Sequence, residues 1–231
     1  MAHLFDRGYP EKRKLNLTKH KFKEMKKLLI VALGLFVTGL TAKAQSTESS
    51  IRLGVKAGAN FSNIIKDDGN NDFKTNYLTG FNAGVTLDIK LLENLAFTPE
   101  LLYSTKGYKT ETVFGKFTQT THFIDVPILA SIKLAEGFNV VAGPQVSFLM
   151  STNNKFENDF GTAQQQIVED ESDRFKKSIL AGVIGARFDM SDKVGIFGRY
   201  ALDFQKTNEN GDRVTPEFKN QVFQVGLGIK F

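Results

Sequence analysis

Histidine and carboxylate side chains are the first candidates for chemistry, and they are few in this chain. Residues 45–231 contain one histidine, His122, with Asp125 three positions later. A general base needs a partner that orients it, but residues three positions apart in an extended strand point to opposite faces. Because no nucleophile and base stand at a recognisable spacing, we predict that the protein has no catalytic residues and is not an enzyme.

Four charged residues inside otherwise alternating segments form a second candidate group. They are Lys56, Glu100, Asp125 and Arg199. Charges that face a dry interior must be paired, and an arginine can hold a carboxylate through two parallel hydrogen bonds. We therefore predict a charge network inside the protein, with Glu100 and Arg199 in direct contact. The network could simply fill the interior, or it could act as a gate that admits ions.

Metal and cofactor sites have little support in the sequence. The chain has no cysteine, which removes thiolate ligands and disulfides. The oxygen-rich stretch 67–72 lacks the alternating ligand spacing and the closing glutamate of a calcium loop. The acidic stretch 169–173 is interpreted as a solvated loop tip, with contact to a cationic partner or a bridging divalent ion as the alternative. We predict neither a metal nor a cofactor.

The basic residues are concentrated at the start of the chain. The net charge is +5, but residues 1–44 hold 10 Lys and Arg against 3 Asp and Glu, so residues 45–231 carry a net charge of −2. A basic patch for phosphate contacts is therefore missing from the main part of the chain. We predict that the protein does not bind nucleic acid.

The segment 25–44 has the order of a secretory signal. A basic pair follows Met25, the apolar run Leu28–Leu40 comes next, and small residues occupy the positions before the Ala44-Gln45 bond. We predict a Sec-type signal peptide that is cleaved at this bond. The apolar run is shorter than the roughly 20 residues that span a bilayer, so an uncleaved anchor is the alternative. Residues 1–24 precede a complete signal and are interpreted as a non-native extension.

The elements that must position these side chains are strands. Residues 51–231 divide into eight segments in which apolar and polar residues alternate, and none has the period of an amphipathic helix. The segment at 175–189 is the least regular, because Ile179, Ala181 and Val183 fall on its polar face. The last segment is the clearest: Phe223, Val225, Leu227, Ile229 and Phe231 share one face, and Gln224, Gly226, Gly228 and Lys230 share the other.

The connections between the segments alternate in length. Short turns are predicted near 92–94, 135–137 and 190–192. Longer polar loops are predicted at 62–76, 110–118, 151–174 and 206–218. An even number of antiparallel strands with short turns at one end and long loops at the other is the plan of an outer-membrane barrel. We predict an all-β fold, an eight-stranded antiparallel up-and-down transmembrane β-barrel over residues 45–231.

The distribution of glycine and charge favours a membrane barrel over a secreted soluble barrel. Each segment is long enough for the roughly 9–11 residues that a tilted strand needs to cross a bilayer. The polar faces also carry the glycines, as expected where an eight-stranded interior is too narrow for anything except packed side chains. The polar faces then line the interior. Five further charges are expected near its short-turn rim, namely Asp88, Lys133, Arg187, Asp189 and Lys230.

Several strings resemble the PorT-like outer-membrane β-barrel family of Bacteroidetes-type bacteria. They are GVKAGANFS at 54–62, PELLYSTKGY at 99–108, IDVPILASIK at 124–133, GPQVSFLM at 143–150 and the ending QVGLGIKF. The resemblance spans 51–231 and implies a barrel fold in the outer membrane, in a family whose members mostly lack an assigned activity. It also implies that Gly226, Leu227, Ile229 and Phe231 belong to a C-terminal signal for the barrel-assembly machinery.

Three functions follow as alternatives. The first is a non-enzymatic outer-membrane protein with a structural role or a role in binding through its loops. The second, implied by the resemblance, is a component of an envelope secretion or gliding-motility assembly. The third is a small gated channel. We expect a monomer whose partners are outer-membrane lipid, lipopolysaccharide and the assembly machinery, with other envelope proteins as further candidates.

Overall fold

The computed structural model describes residues 51–66, 75–112, 115–158, 161–168, 178–206 and 218–231. The predicted signal peptide, its cleavage site and the stretches 67–72 and 169–173 lie outside these residues. Nine strands occupy the described part of the chain: β1 (Ile51–Lys66), β2 (Asn76–Leu92), β3 (Leu95–Thr112), β4 (Gly115–Ala135), β5 (Phe138–Asn158), β6 (Gly161–Val168), β7 (Ser178–Asp189), β8 (Val194–Asp203) and β9 (Phe218–Lys230). No helix among the described residues is long and apolar enough to cross a membrane.

All the strand pairings are antiparallel, and eight of the strands pair in a closed cycle. Sequence neighbours pair from β1 to β5, then β5 pairs with β7, β7 with β8, β8 with β9, and β9 with β1. β6 pairs with β5 beyond this cycle. The predicted all-β, antiparallel up-and-down fold is confirmed. The predicted count of eight strands is incomplete, because the described residues contain nine.

The additional strand and the longer hairpins lie where the sequence predicted loops. β3 and β4 pair as far as Thr112 and Gly115, so the predicted loop 110–118 is mostly a paired hairpin. The predicted loop 151–174 contains the end of β5 and all of β6. These segments are polar on both faces and lack an apolar alternation. Their backbone groups still form hydrogen bonds to the neighbouring strand, because such bonds do not require an apolar face. The strand pairing therefore continues through these polar segments.

Three short connections lie at the same end of the sheet, which we call the short-turn end. They lie between β2 and β3, between β4 and β5, and between β7 and β8. Gly137 in the second of these has φ +70°, a left-handed conformation that suits glycine. The first and last strands also reach this end, where the Phe231 amide donates to the Leu53 carbonyl at 2.8 Å. The positions of the short connections agree with the predicted turns.

The outward face of the sheet is apolar and the inward face is mixed. Leu227 is 56% exposed, whereas Gln224 on the opposite face of β9 is 1% exposed. β7 follows the same rule with an apolar inward face, because Ile179, Ala181 and Val183 are buried in the interior. The irregular pattern of this segment therefore reflects an apolar patch of the interior, where Leu129, Val141, Val183, Ala201 and Val222 form one cluster.

Aromatic rings form a belt on the outward face, away from the short-turn end. The Phe81 and Tyr103 ring centres lie 5.6 Å apart, and the Tyr200 and Phe223 centres lie 4.8 Å apart. The ring centres of Tyr77 on β2 and Phe223 on β9 lie 6.4 Å apart, so the belt includes both strands. Rings with an apolar body and a polar tip are typical of the level at which a membrane meets water.

Candidate functional site

A buried triad of charges crosses the interior between three strands. Glu100 on β3 accepts from Lys56 Nζ on β1 at 2.9 Å and from Arg199 Nη1 on β8 at 2.6 Å. The Lys56, Glu100 and Arg199 side chains are 8%, 4% and 1% exposed. β3 and β8 are opposite one another in the cycle of eight strands, so this contact spans the interior. The structure thus brings three of the four predicted network residues together.

A chain of amide side chains extends the triad away from the short-turn end. Arg199 Nε donates to Gln224 Oε1, and Gln224 Nε2 donates to Asn60 Oδ1 at 2.8 Å. Asn82 Nδ2 donates to the same Asn60 oxygen at 2.6 Å. Asn60 Nδ2 donates in turn to Ser104 Oγ at 3.0 Å. Five strands are therefore linked through one buried polar network.

Asp125, the fourth predicted residue, belongs to a separate buried pair. Its Oδ1 accepts from Lys106 Nζ at 2.9 Å, and Lys106 also donates to Ser147 Oγ at 3.1 Å. The Lys106 ammonium lies 4.7 Å from the centre of the Phe123 ring. The inward alternation of β3 already placed Lys106 on the polar face, but the sequence does not show that Asp125 is beside it. Cross-strand register decides this pairing.

A second group of charges lies near the short-turn end. Asp88 Oδ2 accepts from Arg187 Nη1 at 3.0 Å and from Lys230 Nζ at 3.4 Å. Asp189 Oδ1 accepts from Lys230 Nζ at 3.0 Å and lies 3.4 Å from Arg187 Nε, an ion-pair contact without a hydrogen bond. Four of the five charges expected at the rim are therefore in one cluster, which we call the rim cluster. The fifth, Lys133, is exposed.

Apolar side chains fill the opposite end of the interior. Ile64, Tyr108 and Phe218 are buried together, and Phe117 packs against them. The Tyr108 and Phe218 rings meet edge to face, with centres 5.6 Å apart. We call this group the outer cap. Nearby, Asp203 Oδ2 accepts from Asn220 Nδ2 at 2.7 Å. The sequence reasoning missed both features, although Tyr108 and Phe218 are inward positions by the period of their strands.

His122 and Asp125 lie on opposite faces of β4. His122 faces outward, with its Nδ1 2.6 Å from Tyr103 Oη and its Nε2 3.2 Å from Asn153 Nδ2. Asp125 is fully buried on the inward side with Lys106. The described residues contain no group of three or more His, Cys, Asp or Glu side chains that could hold a metal ion. The His122 ring instead continues the aromatic belt, 5.9 Å from Tyr103.

The residues of the expected C-terminal signal divide between the two faces of β9. Leu227, Ile229 and Phe231 are exposed on the outward face. Gly226 faces inward and pairs with Gly58 of β1. A Cβ atom at Gly226 would lie 2.6 Å from Gly58 Cα and 2.7 Å from Phe197 Cζ. Glycine at this position lets the Phe197 ring fit in the interior beside the triad.

Residues 43–209 match the model of the outer membrane protein beta-barrel domain family. The chain belongs to this family. The match covers most of the described strands, including the triad residues on β1, β3 and β8. The PorT-like group is a finer division than this match identifies. No curated protein sequence matches the chain.

Several solved outer-membrane proteins have similar structures at low sequence identity. The attachment invasion locus protein Ail of Yersinia pestis is 13% identical, with a TM-score of 0.48 over 78% of this chain and 98% of that chain. Neisserial surface protein A is 12% identical, with a TM-score of 0.45 over 79% and 98%. The outer membrane protease OmpT from Escherichia coli is 11% identical, with a TM-score of 0.40 over 82% and 99%. Identities this low do not carry function from one protein to another.

Proposed function

We propose that the protein is a non-enzymatic integral protein of the bacterial outer membrane, with a structural role or a role in binding through its outer segments. The observation that carries this proposal is the inverted polarity of the closed sheet. Val225 and Leu227 are half exposed on the outward face, while charged and amide side chains are buried inside. Such a surface is stable against lipid tails and unfavourable against water.

In this proposal, the eight-strand cycle is a transmembrane barrel. A closed cycle pairs every strand edge, which hydrocarbon requires because it offers no hydrogen bonds. Short turns face the periplasm in such barrels, so the short-turn end is the periplasmic end. The long β3–β4 and β5–β6 hairpins then extend outside the cell beyond the aromatic belt. The predicted signal peptide supplies export, with cleavage between Ala44 and Gln45.

Outer-membrane localisation is testable with the full chain expressed in a Gram-negative host. We expect the protein in the outer-membrane fraction, with faster gel migration when unheated than when boiled, because a closed barrel resists detergent. Protease added to intact cells should cut in the β5–β6 hairpin, and the short connections at the periplasmic end should be protected. Recovery in the soluble periplasm, with no heat-dependent migration, would contradict the proposal.

The absence of an enzymatic role is supported by the outward position of His122 and the inward position of Asp125. The test is an assay of the refolded protein against phospholipid and peptide substrates, with His122→Ala and Asp125→Asn as matched variants. We expect no turnover above that of a heat-denatured sample in all three proteins. Hydrolysis that is lost in either variant would overturn this part of the proposal.

The β5–β6 hairpin is the proposed region for partner binding. Residues 152–157 of the predicted loop 151–174 pair with β4 and belong to the ladder, so they must be kept when the hairpin is trimmed. Removal of residues 161–174 with a short Gly-Ser replacement keeps the β4–β5 pairing. We expect the trimmed protein to fold and to lose contacts with lipopolysaccharide or envelope proteins that cross-linking on intact cells detects for the natural protein. Unchanged cross-links would exclude this hairpin.

Two finer roles are also proposals. Membership of the PorT-like group, supported by the sequence strings quoted above, would place the protein in a secretion or gliding assembly. Co-purification of a stable set of envelope proteins would favour that role, whereas recovery of a monomer alone would disfavour it. A gated channel has less support, because the triad and the outer cap both occupy the interior. Ion conductance of the natural protein in planar bilayers would favour the channel.

A further inference from the structure

The buried triad carries one positive charge more than it neutralises. Lys56 and Arg199 are both cations, and both contact the single carboxylate of Glu100. The rim cluster does not offset this excess, because its two cations, Arg187 and Lys230, face two carboxylates. An uncompensated charge in a poorly solvated interior is costly. The described interior contains one carboxylate without a cation in contact, Asp203, but it pairs with Asn220 beside the outer cap and not with the triad. The triad thus has no contacting anion for its second cation.

The neighbouring side chains compensate the excess charge only in part. The Lys56 ammonium lies 3.9 Å from the centre of the Phe197 ring, which attracts a cation through its quadrupole but carries no net charge. Gln224 accepts from Arg199 through a neutral amide oxygen. Arg199 Nη2 is buried and has no hydrogen-bond partner among the described residues. The described side chains in contact with the triad thus supply dipoles and no second anion.

A pocket adjoins the triad on the side of the short-turn end. It has a volume of about 40 Å³, and its charged lining residues are the cations Lys56, Arg187, Arg199 and Lys230 and the carboxylates Glu100 and Asp189. This volume holds about three water-sized species, since one needs roughly 10–15 Å³. The Thr86 hydroxyl group and the excess of cationic over carboxylate side chains make the pocket suited to an anion. Water would fit as well, but it would leave the excess charge in place.

We propose that this pocket binds a small monovalent anion of the size of chloride, which acts as the counter-ion of the Lys56–Glu100–Arg199 triad. The anion would contact the Lys56 ammonium and the Thr86 hydroxyl group, whereas the Thr98 hydroxyl already donates to Asp88 Oδ1 at 2.9 Å. It would enter from the short-turn end, since the outer cap of Ile64, Tyr108 and Phe218 fills the other end of the interior. The site goes beyond the proposed structural or binding role and does not depend on it.

Bromide is the probe for this site, because it resembles chloride and scatters anomalously. Crystals of the refolded natural protein soaked in sodium bromide should show an anomalous peak in the pocket beside Lys56. In solution, bromide NMR lines should broaden in the presence of the protein and recover on addition of chloride. Sodium gluconate at the same ionic strength is the control, because gluconate is too large for the pocket and should not compete.

Two substitutions should change bromide binding in opposite directions. Lys56→Met leaves Glu100 paired with Arg199 and removes the excess charge, so binding should weaken about tenfold or more. Glu100→Gln raises the excess charge and should tighten binding. Lys155→Met removes an exposed lysine that pairs with Glu157 outside the triad, and it should have no effect. Folding of each variant is checked by its heat-dependent gel migration.

The outcomes are distinct. A peak in the pocket together with opposite effects of the two substitutions supports the counter-ion. No peak in the natural protein, or equal broadening by the natural protein and folded Lys56→Met, overturns it and indicates that Lys56 is neutral or solvated. If neither variant folds, the anomalous map of the natural protein still decides. None of these results bears on the location or the binding role of the protein.

Discussion

Arg199 and Glu100 are 99 residues apart in the sequence, yet Arg199 Nη1 lies 2.6 Å from Glu100 Oε2 inside the closed sheet. The pair joins two strands on opposite sides of the interior and leaves no open path between them at this level. Glu100 also forms an ion pair with Lys56. A single carboxylate is therefore shared by two cations. This asymmetry makes the three residues unequal in their contribution to stability.

Glu100→Gln should destabilise the protein more than Arg199→Met does. The first change leaves both Lys56 and Arg199 without their carboxylate, which should cost about 3–5 kcal/mol in the free energy of unfolding. The second leaves Glu100 paired with Lys56 and should cost less, about 1–3 kcal/mol from the lost hydrogen bonds. Urea unfolding of refolded protein in lipid vesicles measures both.

The double substitution of Glu100 and Arg199 completes the thermodynamic cycle. Its cost should be smaller than the sum of the two single costs, since the residues interact directly. Lys155→Met is the control, because it breaks an exposed pair and should cost less than about 1 kcal/mol. Additive single and double effects would show that Glu100 and Arg199 do not interact in the folded protein.

Leu227→Arg should destabilise the protein by about 2–4 kcal/mol if the outward face of β9 contacts lipid near the bilayer midplane. Leu227 is exposed in the structure, so the same change on a soluble protein should have little effect. Leu227→Met keeps the side chain apolar and serves as the matched control. Equal unfolding free energies for the two variants in vesicles would argue against a lipid-facing surface.

Gln224→Leu should cost about 1–3 kcal/mol, because it leaves Arg199 Nε without its acceptor and removes one of the two donors to Asn60 Oδ1. Gln224 is central to the amide chain, and this cost should still be smaller than that of Leu227→Arg on the outward face of the same strand. Gln221→Leu on the outward face of the same strand is the control, and urea unfolding in vesicles compares the two variants.

Gly226→Ala should destabilise the protein by about 1–3 kcal/mol through overpacking against the β1 backbone and the Phe197 ring. Gly228→Ala, two positions later on the same face, should be tolerated. A Cβ atom at Gly228 would meet nothing closer than 3.8 Å. The difference between the two unfolding midpoints tests the close approach of β9 and β1. Equal midpoints would mean that the strands have room at Gly226.

The mature protein should begin at Gln45, because small residues precede the Ala44-Gln45 bond and the apolar run ends just before them. Intact mass and N-terminal sequencing of protein purified from the envelope check this cleavage. Ala44→Arg should block it and leave the precursor. A natural protein that keeps residues 28–40 would support the uncleaved anchor instead.

The strand pattern alone determined the fold class and the inward and outward faces. Alternation has a period of two and depends only on local geometry, so Leu227 and Gln224 fall on opposite faces before any neighbour is known. In a ring of eight strands, the third and seventh predicted segments lie opposite one another. The strand count therefore also predicted that Glu100 faces Arg199. The apolar inward face of β7 was the exception, because a polar interior can contain an apolar patch that reverses the expected pattern.

Tertiary structure decided what periodicity cannot encode. The pairing of Asp125 with Lys106, the place of Gln224 in the amide chain and the outer cap of Ile64, Tyr108 and Phe218 all depend on register between strands. β6 was missed because its stability in the ladder comes from backbone hydrogen bonds to β5, which no side-chain pattern records. Local sequence thus determines which way each residue points, and only the closed sheet determines which residue it meets.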